Sequence, residues 1–410
     1  MKAILAASIV LTLTACGGDS ASSDTCKPGS ATALNTVACD PGFTQTKPNK
    51  PGTVQVTFSG ETFGVNGLPF QPVHAGDPVF VDGWTVSFDE ILVVLGNFRL
   101  SENATASADW KQVGPSVATK KGPYVVDMHK PSGFVGSDGE SPAGALFKWD
   151  GRDDGKAFDT SIRYAFSYDV QKAVYPATQL NLTPGQFADY DLMVQKGWSK
   201  LYRGTATFVG TGVHPTPAVQ AKFAALPKTV KFVFGFNDAG GLVNCVNPDN
   251  GAGDGAGHDL GNRGINTNSN GATTAQVTLH VDHAFWDAVK IEGTPLRFDP
   301  VAAWATSANS TTPLNLNALA TRPLSTTFAD GTPLPDRGPF MNVPGGYTSN
   351  QSNPDQIVLD LNGVPSSTVR GLADFMAFSA QSQMHLNADG LCYVVGQSAA
   401  DPFYTPNVQP

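Results

Sequence analysis

Trp84-Thr85-Val86-Ser87-Phe88-Asp89-Glu90-Ile91-Leu92-Val93-Val94-Leu95-Gly96-Asn97 is the stretch that decides the fold. Its first half alternates Trp84, Val86 and Phe88 with polar residues, the period-two pattern of a strand with one buried face. Ile91 to Leu95 is then continuously apolar, as in a strand covered on both faces, and Gly96-Asn97 predicts its end. Upstream, Val54, Val56 and Phe58 alternate in the same way and mark where the folded body starts. Further strands are predicted over residues 124–129, 162–168, 205–209, 230–236, 275–282 and 392–395. Each is short, rich in Val, Phe, Tyr or Thr, and bounded by Gly, Pro, Asn or Asp.

Helical signals are fewer. Pro217 opens an Ala-rich run that Pro227 stops, and Asp299-Pro300 caps a short helix towards Trp304. Residues 366–380 form the longest candidate, with Val369, Leu372, Phe375, Met376 and Phe378 on one apolar face. The fold class expected is all-β, a mainly antiparallel β-sandwich-like body with long loops and a few short helices. That β-rich globular body covers residues 53–410, with a subdivision near residues 176–185 as the alternative to one domain.

The 410 residues are 41% apolar and 15% charged, so a large core can form under a surface poor in charge. Forty-three Gly and thirty Pro agree with many turns and little long helix. The formal charge is −9 and Lys/Arg clusters are missing, so nucleic acid is not expected as a partner. After the first residues no run of eighteen apolar residues follows, so no membrane-spanning helix is expected.

The chain begins with a short basic start at Lys2 and an apolar run from Ala3 to Leu13, the length of an export-signal core. Leu13-Thr14-Ala15-Cys16 resembles a bacterial lipobox. The resemblance implies a lipoprotein signal peptide over residues 1–15, cut before Cys16, and lipidation of Cys16. Residues 16–52, rich in Gly, Ser, Thr, Asp, Lys and Pro, then read as a flexible tether. The expected location is the cell envelope, held to the lipid bilayer through acylated Cys16. Gly17 stands where lipoproteins retained at the inner membrane carry Asp, which favours the outer membrane if the cell is Gram-negative.

Four further cysteines, Cys26, Cys39, Cys245 and Cys392, suit an oxidising compartment. Three pairings are open, and Cys26–Cys39 with Cys245–Cys392 is preferred because a Pro/Lys-rich stretch isolates the first two. A metal role for Cys245 or Cys392 is the rival reading, although neither has CxxC spacing.

Thr278-Leu279-His280-Val281-Asp282-His283 holds the densest chemistry in the chain. On a strand, His280 and Asp282 share one face, and His283 at the strand end can swing to the same side. Two imidazoles and a carboxylate supply most of a shell for zinc or copper, with Asp287 placed to orient an imidazole. His385 lies seven residues before Cys392, so a Cys245–Cys392 bond would draw it towards His280 and make it a third ligand. The candidate metal set is therefore His280, Asp282, His283 and His385.

The same string is similar to part of the HxHxDH signature of metallo-β-lactamase-fold zinc hydrolases. His280, Asp282 and His283 match its second His, its Asp and its third His. The resemblance implies a zinc-dependent hydrolase, but Thr278 stands at the first His and the α/β alternation of that fold is missing. Met128-His129 and Met384-His385 bring copper to mind through soft sulfur, although strand neighbours face opposite ways. A loop rich in glycine and oxygen donors, with Asp249, Asp254 and Asp259, is a possible calcium site.

GxSxG, SxxK and P-loop motifs are all missing, which favours a binding protein over an enzyme. The leading expectation is a membrane-anchored envelope lipoprotein that captures or hands over copper or zinc through its His cluster. The alternatives are a structural or interaction lipoprotein without metal, meeting another envelope protein as partner, and the zinc-dependent hydrolase.

Overall fold

The computed structural model describes residues 34–35, 50–72, 77–105, 111–130, 144–210, 217–248, 263–287, 296–319, 322–323, 326–334 and 371–395. Its strands are β1 (Leu34–Asn35), β2 (Val54–Ser59), β3 (Trp84–Ser101), β4 (Ser116–Lys120), β5 (Tyr124–Asp127), β6 (Gly144–Trp149), β7 (Arg163–Val170) and β8 (Ala177–Gln179). They continue with β9 (Lys200–Phe208), β10 (Thr229–Phe236), β11 (Gly240–Val243), β12 (Ile265–Asn266), β13 (Thr273–Leu279), β14 (Leu314–Asn315), β15 (Met384–Leu386) and β16 (Tyr393–Val394). The helices are α1 (Glu61–Asn66), α2 (Phe187–Lys196), α3 (Pro217–Ala225), α4 (Asp299–Ala302) and α5 (Leu372–Ser379).

Two open, mixed sheets result, one of 12 strands and one of 4 in the order β15-β13-β2-β6. The body is β-sandwich-like, as its sequence pattern predicts. β3 is the spine of the large sheet. Its first ten residues pair with β9, its middle with β5, and its end with β7 and β4, all antiparallel. In the small sheet β2 runs parallel to β13, while β15 and β6 are antiparallel to their neighbours.

The two sheets meet through aromatic rings. Phe98 on β3 packs edge-on against Phe147 on β6 at 4.9 Å, and Tyr124 on β5 stacks on Phe147 at 5.7 Å. Ile91, Val93 and Leu95 point into this main core, whereas Leu92 and Val94 belong to a second one with Tyr190 and Met193 of α2. That second layer explains the unbroken apolar run from Ile91 to Leu95. One face of the strand is covered by the small sheet and the other by a helix.

The predicted end of β3 at Gly96-Asn97 is instead a bulge, after which pairing resumes with Arg99 opposite Ser167. Asn97 adopts a φ of +48° there and its N–H donates to the Lys121 carbonyl. The end of the Gln171 side chain lies over Gly96, so a Cβ there would have to displace it. Helix α2 has no counterpart in the sequence reading, yet its ends carry signals. A capping box at Thr183/Gln186 precedes it, and Gly197 closes it in the left-handed conformation at φ +67°.

Cys245 and Cys392 are bonded to each other, with sulfurs 1.99 Å apart. This is the long-range pairing the sequence favours. It fastens β16 beside β11 and holds the chain that leads back to β15. Cys16, Cys26 and Cys39, together with the rest of residues 1–33 and 36–49, lie outside the described residues.

Candidate metal centre

The small sheet ends at one edge in a set of imidazoles. β13 stops at Leu279, His280 is still extended, and Val281–Phe285 form a 3-10 turn. In such a turn residues three apart eclipse one another. His280 and His283 therefore face the same way, while Asp282 does not. The strand alternation that would have put Asp282 beside His280 ends too early. Antiparallel β15 then brings His385 opposite Thr278.

Among the described residues, His280, His283 and His385 form a set whose donor atoms all lie within 4.8 Å of one another. Ring centroids are 4.1 Å apart for His280 and His385, 5.5 Å for His280 and His283, and 5.6 Å for His283 and His385. An ion about 2.0–2.1 Å from each nitrogen needs donors roughly 3.4 Å apart, so the triad would tighten by at most about 1.4 Å.

The neighbours fix which nitrogen each ring offers. His280 Nε2 lies 3.1 Å from Glu61 Oε1, so it carries the proton and Nδ1 is left as the donor. His385 Nε2 donates to the Ser382 carbonyl at 2.8 Å, and its Nδ1 is buried without a hydrogen-bond partner. Ser382 Oγ donates to the Ser379 carbonyl, so it accepts from His283 Nδ1 at 2.8 Å and leaves His283 Nε2 free. Three lone pairs are thus set by three hydrogen bonds on the far side of the rings, the arrangement by which outer partners orient metal-bound imidazoles.

Electrostatics divide the three rings. Burial pushes His283 and His385 well below the ordinary histidine value, and the charge on His280 pushes them the same way. For His385 the carbonyls of Ser382 and Ala388 act in the opposite sense. Burial would depress His280 as well, but the Glu61 carboxylate, with help from Asp282 and Asp389, lifts it to about 9. Two rings therefore keep their lone pairs at neutral pH, and the third would have to give up a proton to take a cation.

Asp282 stands outside the donor set. Its Oδ2 accepts a hydrogen bond from Trp286 Nε1 at 2.9 Å, and burial raises its own pKa while the charge on His280 and the Trp286 bond oppose this. It acts on His280 through charge. Trp286 also lies against the His283 ring at 3.8 Å and limits its rotation. Asp287 pairs with Arg297 at 3.0 Å. His129 Nδ1 is bonded to the Gly64 carbonyl at 2.9 Å and Met128 is in the core, so they form no copper pair. Asp249, Asp254 and Asp259 of the calcium candidate lie outside the described residues.

Sequence reasoning missed Glu61 and Ser382. Each is an ordinary polar residue in its local string, and only long-range pairing brings it to the histidines. Comparison with protein-family models, with curated proteins and with solved structures found no match to this chain.

Proposed function

We propose that the chain is a membrane-anchored envelope lipoprotein that binds a transition metal, copper or zinc, and captures it or hands it on without catalysing a reaction. His280 Nδ1, His283 Nε2 and His385 Nδ1 are the ligands, and Asp282 tunes His280. The observation that carries the reading is the buried Nδ1 of His385, which has no hydrogen-bond partner and lies in a set of converging imidazole donors. A buried polar atom without a partner is costly unless something fills the role. A cation would do so here for three nitrogens at once, and imidazole suits zinc and copper. The lipobox-like Leu13-Thr14-Ala15-Cys16 supports the envelope location, with the acyl chains of Cys16 in the bilayer and an envelope protein as a partner for handover.

Metal content after mild purification tests this. Wild type is expected to retain Cu or Zn, and His280→Ala/His283→Ala to lose it. Added Cu2+ or Zn2+ should raise the melting temperature of the wild type alone. A metal-free wild type whose melting temperature does not respond to either ion overturns the reading.

A further inference from the structure

The residue that touches the triad from outside is Glu61, and its placement is unusual. β2 and β13 run parallel with Ser59 opposite Thr278, so Glu61 and His280 each stand two residues beyond a paired position. Gly60 before it is pressed against Met128, where a Cβ would lie 2.3 Å from the carbonyl oxygen. The chain must turn at once, and Glu61 takes up the turn with a φ of +54°. An L-residue with a long side chain is strained in that region, and such strain persists where the surroundings hold it. The Glu61 N–H is held by Ser59 Oγ at 2.9 Å, and its carboxylate is held 3.1 Å from His280 Nε2.

Surface ion pairs are usually mobile, but this one is mostly enclosed, at 16% and 17% side-chain exposure. Asp389 is the second carboxylate near His280, 3.9 Å away and 79% exposed. Asp282 adds a buried carboxylate on the turn itself. The nearest cation from the opposite sheet, Lys200, is paired with Asp238 at 2.5 Å. The rings therefore sit beside three carboxylates, with Glu61 and Asp389 facing His280 and Asp282 on the turn. The donor set holds nitrogen only, and Met384 beside His385 is buried in the core on the other strand face.

We propose that Glu61 is the positioning carboxylate of this centre and sets it for a divalent rather than a monovalent ion. The inference rests on the metal-binding reading. Glu61 fixes the His280 proton on Nε2, so Nδ1 faces the other two donors, and its negative charge reaches the ion through the ring. Coulomb attraction scales with the charge of the ion, so a dication gains twice the free energy that Cu+ does from the same carboxylate. Loss of an outer carboxylate typically weakens a metal site 10–100-fold. For a monovalent ion the corresponding loss is the square root, about 3–10-fold.

The test titrates the full chain with Zn2+, and with Cu+ under reducing conditions, each against a chromophoric competitor. Glu61→Gln and Glu61→Gly are compared with wild type. The glycine variant relieves the strain at +54°, which offsets part of the stability lost with the His280 contact, so its metal-free melting temperature should lie between those of Glu61→Gln and wild type. Either ion displaces the same His280 proton, so the quantity to read is the ratio of Zn2+ to Cu+ affinity, which should fall about 3–10-fold in both variants. An unchanged ratio of Zn2+ to Cu+ affinity in both variants overturns the role of Glu61 and leaves the metal site standing. A wild type that binds neither ion overturns both.

Discussion

Two groups of buried polar side chains meet on the segment from Ser379 to His385. On one side Lys200 and Tyr202, alternate residues of β9 that share a face, reach it from the large sheet. Lys200 Nζ contacts Asp238 Oδ2 at 2.5 Å, the Ala380 carbonyl at 3.0 Å and Gln383 Oε1 at 3.2 Å, while the Tyr202 hydroxyl donates to Gln383 Oε1 at 2.7 Å. Every proton of that ammonium has an acceptor. On the other side His283 and His385 lean on Ser382, and a nitrogen of each lies within 4.8 Å of one on His280. Both groups are buried and polar, yet they are built differently. The brace, on the Lys200 side, pairs an ammonium directly with a carboxylate, whereas the imidazole group gathers three nitrogen donors that face one another. The two are also linked, since the Lys200 charge helps keep His283 neutral.

Removing the brace should have the largest effect. Lys200→Met leaves Asp238 buried without its cation, and a broken buried pair destabilises by about 3–5 kcal/mol. Urea denaturation of the metal-free protein measures this. A second substitution, Asp238→Asn, should recover much of the loss, because it removes the stranded charge. A loss under about 1 kcal/mol for Lys200→Met alone would show that Lys200 does not brace the segment.

The imidazole side should show itself through pH. His280 has a folded pKa of about 9 against 6.5 for the free side chain, so the folded state binds its proton more tightly. The stability this gives is fully present below pH 6.5 and is lost as pH rises through about 9, roughly 3 kcal/mol in all. In metal-free His280→Gln that alkaline loss should shrink, and the difference from wild type across this window is the quantity to measure. His283 and His385 have the opposite sign. Their lowered values weaken the fold as pH falls below 6.5. A wild type and a His280→Gln variant with parallel pH profiles would refute the assignment of the Glu61 contact.

Ser382 serves the site from the shared segment, and its effect should be smallest. Ser382→Ala removes the acceptor of His283 Nδ1 and should cost about 1 kcal/mol in stability. The His385 bond uses the main-chain carbonyl and should survive. Zn2+ affinity should therefore fall, with NMR of the ring protons showing His283 free to change tautomer and His385 unchanged. If both rings change, the two bonds do not act separately.

Much of the sheet framework was legible because strand faces are written locally. Trp84, Val86 and Phe88 alternate, and the run Ile91 to Leu95 announces two covered faces even though the covering helix α2 escapes notice. That helix is weakly amphipathic, and its caps at Gln186 and Gly197 are a quieter signal than an apolar stripe. The site was half legible. His280 and His283 stand out by proximity, and His385 follows from a disulfide that draws its strand inward. Asp282 was misplaced because a strand was extended three residues too far into a 3-10 turn. Glu61 lies 219 residues from His280, and only the parallel pairing of β2 with β13 joins them.

The disulfide has one further consequence, which belongs to the unfolded chain. An ion joining His283 to His385 closes a loop of about 100 residues in a reduced chain. Once Cys245 and Cys392 are bonded, the shortest path between those histidines runs through the sulfurs and spans about 45 residues. The chain entropy opposing closure falls by about 0.7 kcal/mol. Bond and ion are nested fasteners on one tether. On the metal-binding reading, oxidation first would make capture easier, and a captured ion would in turn hold the two thiols nearer to each other.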